Sequence, residues 1–232
     1  MIATITELRP TQITVGYREV ERKRRRWREQ TKSGDWLLRH GHPSPVVLGP
    51  CQTLFIIDHH HMLRALYEEG VAEVDVRIVE DLGTLSMAEF WEVCEARGWC
   101  HPYDAAGERQ PMSAIPATIG DLADDSFRSL AGELRRAGGY SKASTPYSEF
   151  KWADFLRDRI DRTAAEADLD GAMELALGLV KTTQAEHLPG WRSTNDQSRS
   201  PCAADVPAEV GLPLSIHSNA TAIIAPRIGP AM

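Results

Sequence analysis

The stretch Thr53-Leu54-Phe55-Ile56-Ile57-Asp58-His59-His60-His61-Met62-Leu63-Arg64-Ala65-Leu66 limits the folds open to this chain more than any other. Five strand-forming residues run into an acid, three histidines and then a helical pattern. Leu63, Leu66 and Tyr67 fall three and four apart, so they share one helix face. Asp58 stands where an N-cap is expected, because its carboxylate can accept the orphan N–H groups of a first turn. The histidines would then fill that turn, at the end of the helix that carries partial positive charge and free donors. Such an end is a natural anion site. Successive residues point about 100° apart on a helix, so the three rings cannot reach one ligand equally.

The flanking sequence is consistent with a mixed sheet. Ile2-Ala3-Thr4-Ile5-Thr6 alternates apolar with polar and reads as a first strand, ended at Leu8-Arg9-Pro10. A basic helix is expected from Tyr17 to about Gln30, anchored by Tyr17, Val20 and Trp27. Asp35 to Gly41 reads as a short helix. Val46-Val47-Leu48 and Thr53 to Ile57 form a hairpin about the Gly49-Pro50 turn, and Val74 to Val79 alternates as another strand. Ser86, with Glu89 three residues on, makes a capping box for a helix from Met87 to Arg97.

Pro111 to Pro116 marks an internal boundary, beyond which the pattern turns helical. Helices are expected from Asp124/Asp125, from Pro146, and from Ala164 to Lys181. From Arg192 to Met232 aromatic residues and periodicity are absent, and little could offset ordering entropy, so a mostly disordered tail is expected. The expected organisation is a small mixed-sheet α+β domain over 1–112, a helical region over 113–191 packed on it, and the tail over 192–232.

The histidine stretch resembles the signature of the ParB-like family, in the subgroup described as ParB-like nucleases. The resemblance extends through Leu8 to Gln12, Val15 to Val20, Phe90-Trp91, Asp124 to Gly132, Gly138 to Lys142 and Glu149 to Ala153, and fades after Trp191. It implies a ParB/sulfiredoxin-type fold in which the loop after the strand opens a helix and holds nucleotide phosphates. It implies little about the reaction, since the superfamily includes nucleotide hydrolases, a sulfinic-acid reductase and free-serine kinases. In those kinases a glutamate from the early helical region is the general base, and the resemblance carries that role to Glu19. The alternative for Glu19 is an exposed helical glutamate pairing with Lys23 at i+4.

On these grounds His59 and His60 are the candidate catalytic groups beside Glu19. His59, His60, His61, Arg64 and Lys142 are the candidate phosphate ligands, and Asp58 is a candidate ligand to Mg²⁺ alongside phosphate oxygens. Asp124, Asp125 and Arg128 form a second constellation. The two acids could hold a divalent ion through water, or could simply start a helix. Cys94, Cys100 and His101 lack a second close ligand pair, so free thiols are preferred to a zinc site. The expected partner is a nucleotide or nucleic acid, the expected assembly a homodimer and the expected setting the cytoplasm.

Charge weighs on the choice between partners. The net charge of −7 argues against wholesale coating of nucleic acid. Between Arg18 and Arg28 seven basic residues stand against Glu19 and Glu21, a stripe that meets phosphates or is a solvated helix face. Two functions compete. One is phosphate chemistry on a nucleotide or phosphodiester; the other is a non-catalytic, nucleotide-switched, DNA-associated module of the partition type. No compact helix-turn-helix reader is evident between Asp125 and Ile160. Walker and Gly-x-Gly-x-x-Gly patterns are absent.

Overall fold

The computed structural model describes residues 1–32, 43–143, 145 and 147–192. The helix expected at Asp35–Gly41 and all but the first residue of the expected tail lie outside them.

Four strands form a mixed sheet: β1 (Ile2–Thr4), β3 (Ser44–Leu48), β4 (Leu54–Ile56) and β5 (Glu73–Asp81), in the order β1-β5-β3-β4. β5 runs antiparallel to β1 and parallel to β3, while β3 and β4 form the expected antiparallel hairpin. Its turn carries Cys51 and Gln52 at positive φ, 57° and 58°. A separate parallel pair joins β2 (Thr14–Val15) to β6 (Ala123–Asp124). Ile5–Glu7 is a tight single turn rather than more strand.

Among the described residues seven α-helices follow their apolar periodicities: α1 (Tyr17–Lys32), α2 (His60–Glu68), α3 (Met87–Ala96), α4 (Ser126–Arg136), α5 (Ser148–Arg157), α6 (Arg162–Ala167) and α7 (Leu169–Val180). The Ser86/Glu89 capping box is present in full at α3. The segment expected as one helix from Ala164 to Lys181 is two, because the Asp168 carboxylate caps a new start by accepting the Gly171 N–H.

Apolar residues gather in three cores. Ile5, Leu8, Val46, Ile56, Leu63 and Val76 pack with Ile119 and Leu122 between the sheet and α2. Phe55, Phe90 and Cys94 fill the space under α3. Trp152, Leu130, Leu134, Phe155 and Leu156 centre the helical core, which begins at Phe127. The change of core therefore falls between Leu122 and Phe127, later than the composition break at Pro111–Pro116. Arg64 explains why residues 119–122 side with the sheet. Its buried guanidinium donates from Nη1 to the carbonyls of Ile119, Gly120 and Leu122 at 3.2, 2.6 and 2.9 Å.

Candidate functional site

The loop from β4 enters α2 by a left-handed residue. His59 has φ 67° and is itself the N-cap, offering no side-chain cap. Asp58 is displaced one position from its expected capping role, and its Oδ1 accepts the His59 N–H at 2.6 Å. With His59 turned back in this way, no acceptor among the described residues meets the main-chain N–H groups of His60, His61 or Met62. The positive end of α2 is left without a side-chain cap, and the three histidines are not equivalent around it.

His60 is buried, and its Nε2 accepts the Thr11 N–H at 3.2 Å. His61 Nε2 accepts the Gly16 N–H at 3.1 Å. A ring nitrogen that accepts an N–H is unprotonated, so both rings are neutral with the proton on Nδ1. Burial, reinforced by the charge of Arg128, lowers both rings. His60 falls to about 3 and His61 well below its ordinary value. These two side chains pin the segment 11–16 to α2. His59 is different. It is half-buried, and its Nδ1 lies 3.3 Å from Ser44 Oγ.

Two other expected ligands serve elsewhere. Arg64 has its Nε and Nη2 on Glu68 at 2.9 and 2.7 Å, besides the three carbonyls already described. It straps α2 to the segment 119–122, with its Nε, Nη1 and Nη2 all bonded within the fold. Glu19 is caged by cations. It pairs with Arg22, with Lys23 at 3.4 Å and with Arg136 at 2.8 Å, so the i+4 alternative describes it better than the role of a free base. Lys142 stands exposed on the cleft rim.

Among the described residues no three His, Cys, Asp or Glu side chains converge as a metal site. A magnesium ion at Asp58 would therefore depend on oxygens supplied by the ligand. The acids of the second constellation start helices: Asp124 Oδ1 accepts the Tyr17 N–H, and Asp125 caps α4 and pairs with Arg157 at 2.6 Å.

The third member of that constellation, Arg128, is the residue that the sequence reading undervalued. It is 7% exposed and lines a cleft of about 1410 Å³, whose other walls include His59, His60, His61, Lys142, Ser148 and Phe150. That volume exceeds the roughly 300–1,000 Å³ of an ordinary small-molecule pocket. Nη1 of Arg128 donates to the Thr14 carbonyl at 3.0 Å, and the guanidinium lies over Phe150, 3.6 Å from the ring centre. Nε is buried without a partner. Burial brings its pKa down from 12.5 to about 10, so it keeps its charge at neutral pH. A charged guanidinium held in place with its Nε–H unpaired is suited to a carboxylate or phosphate.

The basic stripe on α1 is mostly neutralised. Arg22, Lys23, Arg24 and Arg28 pair with Glu19, Glu21, Glu69 or Glu133, while Arg18, Arg25 and Arg26 are exposed. Among the described residues no helix is long and apolar enough to cross a membrane.

Residues 1–158 match the family model described as "Putative ParB-like nuclease". The crystal structure of protein Atu1540 from Agrobacterium tumefaciens is similar at 48% identity and TM-score 0.77, covering 83% of this chain and 97% of that one. The C-terminally truncated chromosome-partitioning protein ParB from Caulobacter crescentus, in complex with the centromeric parS site, is similar at 16% identity and TM-score 0.28. That match covers 76% of this chain and 97% of that one. A likeness of that degree bears on neither the site nor its ligand. No curated protein matches the chain.

Proposed function

The chain belongs to the ParB-like nuclease family, and we propose that its cleft binds a phosphate-containing ligand at the start of α2. The observation that carries this reading is the unpartnered Nε of Arg128, a residue that lines the same cleft as the start of that helix. A phosphate there would accept main-chain N–H groups on one side and a charged guanidinium on the other. His59 is the histidine of the three not held by a main-chain N–H, and it is the group to donate a hydrogen bond or a proton to the ligand. His60 and His61 position the loop. Asp58 would share a magnesium ion with phosphate oxygens.

Nucleotide phosphate is favoured over long nucleic acid. Backbone tracking on DNA requires a run of free cations, and the stripe on α1 is largely paired with acids of its own chain. In phosphoryl transfer most of the rate comes from positioning and charge neutralisation, which Arg128 and the helix end would supply.

The test is a titration of purified full-length protein with nucleoside mono-, di- and triphosphates, with and without Mg²⁺. Thermal stability and phosphate release would be followed, beside cleavage of single-stranded and plasmid DNA. Ligand at a hundred times its Kd should add about 2.7 kcal/mol of stability. His59→Ala should abolish any turnover while retaining binding. If no phosphate compound stabilises the protein, the reading fails. DNA cleavage without nucleotide binding would replace it with the nuclease activity that the family description implies.

A further inference from the structure

We infer that Ser44 is a nucleophile with His59 as its base, and that its hydroxyl takes a phosphoryl group from the ligand of the cleft and holds it as phosphoserine before passing it on. This rests on the reading just given, that the cleft binds a phosphate compound, and adds a covalent step to it.

The two side chains meet because of the hairpin. β3 and β4 pair in antiparallel register, Val46 with Ile56, and the Ile57 N–H donates to the Pro45 carbonyl at 3.2 Å. Continued past the sheet, that register sets the start of β3 beside the loop that follows β4. Ser44 opens β3, paired with Val76 of β5 and 5% exposed. Its Oγ lies 3.3 Å from His59 Nδ1, and both residues line the cleft. A hydroxyl within hydrogen-bond reach of an imidazole nitrogen is the arrangement that activates serine, and the distance is often looser before a ligand binds.

Other hydroxyls of the fold are committed to structure. Ser86 caps α3, and Ser129 Oγ accepts the Arg18 N–H. Thr11 Oγ1 also lies near an imidazole, 3.4 Å from His60 Nε2, but Thr11 is fully buried and its hydroxyl faces the carbonyls of Ile56 and Trp99 at 2.7 and 2.6 Å. Among the described residues the Ser44 hydroxyl meets no such carbonyl, and His59 Nε2 meets no partner. The backbone of His59 is fixed at φ 67°, a region uncommon for a residue with a side chain, by Asp58 Oδ1 on its N–H at 2.6 Å.

The chemistry follows from this placement. With the ring proton of His59 on Nε2, Nδ1 takes the Ser44 hydroxyl proton as Oγ bonds to phosphorus and the bond from phosphorus to the leaving oxygen breaks. The leaving oxygen lies in line on the side away from Ser44. His59 therefore cannot protonate it, and it departs as an anion. That selects donors with a stable leaving anion, an acyl or aryl phosphate or a phosphoanhydride, over alkyl phosphates. In the return step an acceptor oxygen attacks phosphorus and loses its proton to solvent. The bond from phosphorus to Oγ breaks, and His59 returns its proton to Ser44.

The test mixes full-length protein with acetyl phosphate or p-nitrophenyl phosphate and Mg²⁺, quenches in acid and maps the peptides by mass spectrometry. Phosphate should appear on Ser44, and nitrophenol should be released in a burst equal to the protein present. An aryl phosphate chiral at phosphorus should be hydrolysed with retention, the mark of two displacements. Ser44→Ala should abolish the label while changing orthophosphate affinity by less than twofold. His59→Gln should slow labelling by about a hundredfold and leave it on Ser44. Circular dichroism checks that both variants fold. Inversion at phosphorus, label on another residue, or turnover surviving in folded Ser44→Ala would overturn the assignment. A parent that turns over without phosphoserine, slowed by Ser44→Ala, would make Ser44 a positioning residue for His59 and also overturn it. If orthophosphate binds but neither donor labels the protein, the nucleophile falls and the binding site stands. If no phosphate compound binds, both fall.

Discussion

Lowering the pH from 7 to 5 should weaken the fold by about 4 kcal/mol, through His60 and His101. His60 is buried with its acceptor nitrogen on Thr11. His101 is packed among Tyr103, Tyr147 and Phe150, with Nδ1 buried and unpartnered. Burial, aided by Arg128, brings each from 6.5 to about 3. Between those values the unfolded chain takes up a proton that the native ring refuses. The stability is thus present above pH 6.5 and lost as pH falls towards 3. At about 1.4 kcal/mol per pH unit, the step from 7 to 5 costs about 2 kcal/mol for each ring. His61 acts in the same sense. Asp124 and Asp125, whose burial raises them, act in the opposite sense. His60→Asn isolates one contribution, because an amide oxygen can still accept the Thr11 N–H but does not titrate. Urea unfolding followed by circular dichroism at both pH values gives the comparison. The variant should lose about 2 kcal/mol less than the parent between them. Equal losses in variant and parent would refute the assignment, as would a parent equally stable at both pH values.

Three further outcomes follow from single side chains. Arg128→Gln should weaken phosphate-compound binding by about 1.5–3 kcal/mol, on the order of tenfold to a hundredfold, since a charged donor edge is lost; calorimetry on parent and variant measures it. Arg64→Ala leaves the buried carbonyls of residues 119, 120 and 122 without their donor and should lower stability by about 2–4 kcal/mol. Denaturant unfolding reads that loss, and phosphate affinity of the folded fraction should hold. Gly49→Ala would set a Cβ 2.6 Å from the Phe55 ring and 3.0 Å from Phe90, so a loss of about 1–3 kcal/mol is expected from overpacking, read from the shift in melting temperature.

Local patterns in the chain disclosed most of the secondary structure and the place of the cleft. Ser86 and Glu89 announce their helix by chemistry internal to four residues, and the hairpin and α2 are equally local. The roles of the arginines were not legible in this way. Arg64 and Arg128 each sit in an amphipathic helix, and only the carbonyls of residues 119–122 for one, and Thr14 for the other, decide which is fully bonded within the fold and which keeps an N–H unpartnered. The same holds for His59. A left-handed histidine leaves no mark in composition, so Asp58 looked like the cap. Arg128 could have been found by asking why an arginine follows Asp-Asp at a helix start, where acids alone satisfy the dipole.

The strap from Arg64 to the segment 119–122, together with the pairing of β2 with β6, makes the two halves of the protein poor candidates for separation. A fragment ended at the composition break near residue 112 would carry a buried cation stripped of its acceptors and a strand stripped of its neighbour. Gene fusions or truncations that treat the sheet half as a portable cassette should yield insoluble product. Expression designs would do better to retain the chain through at least Trp191, whose indole closes on the Val180 carbonyl at 2.8 Å.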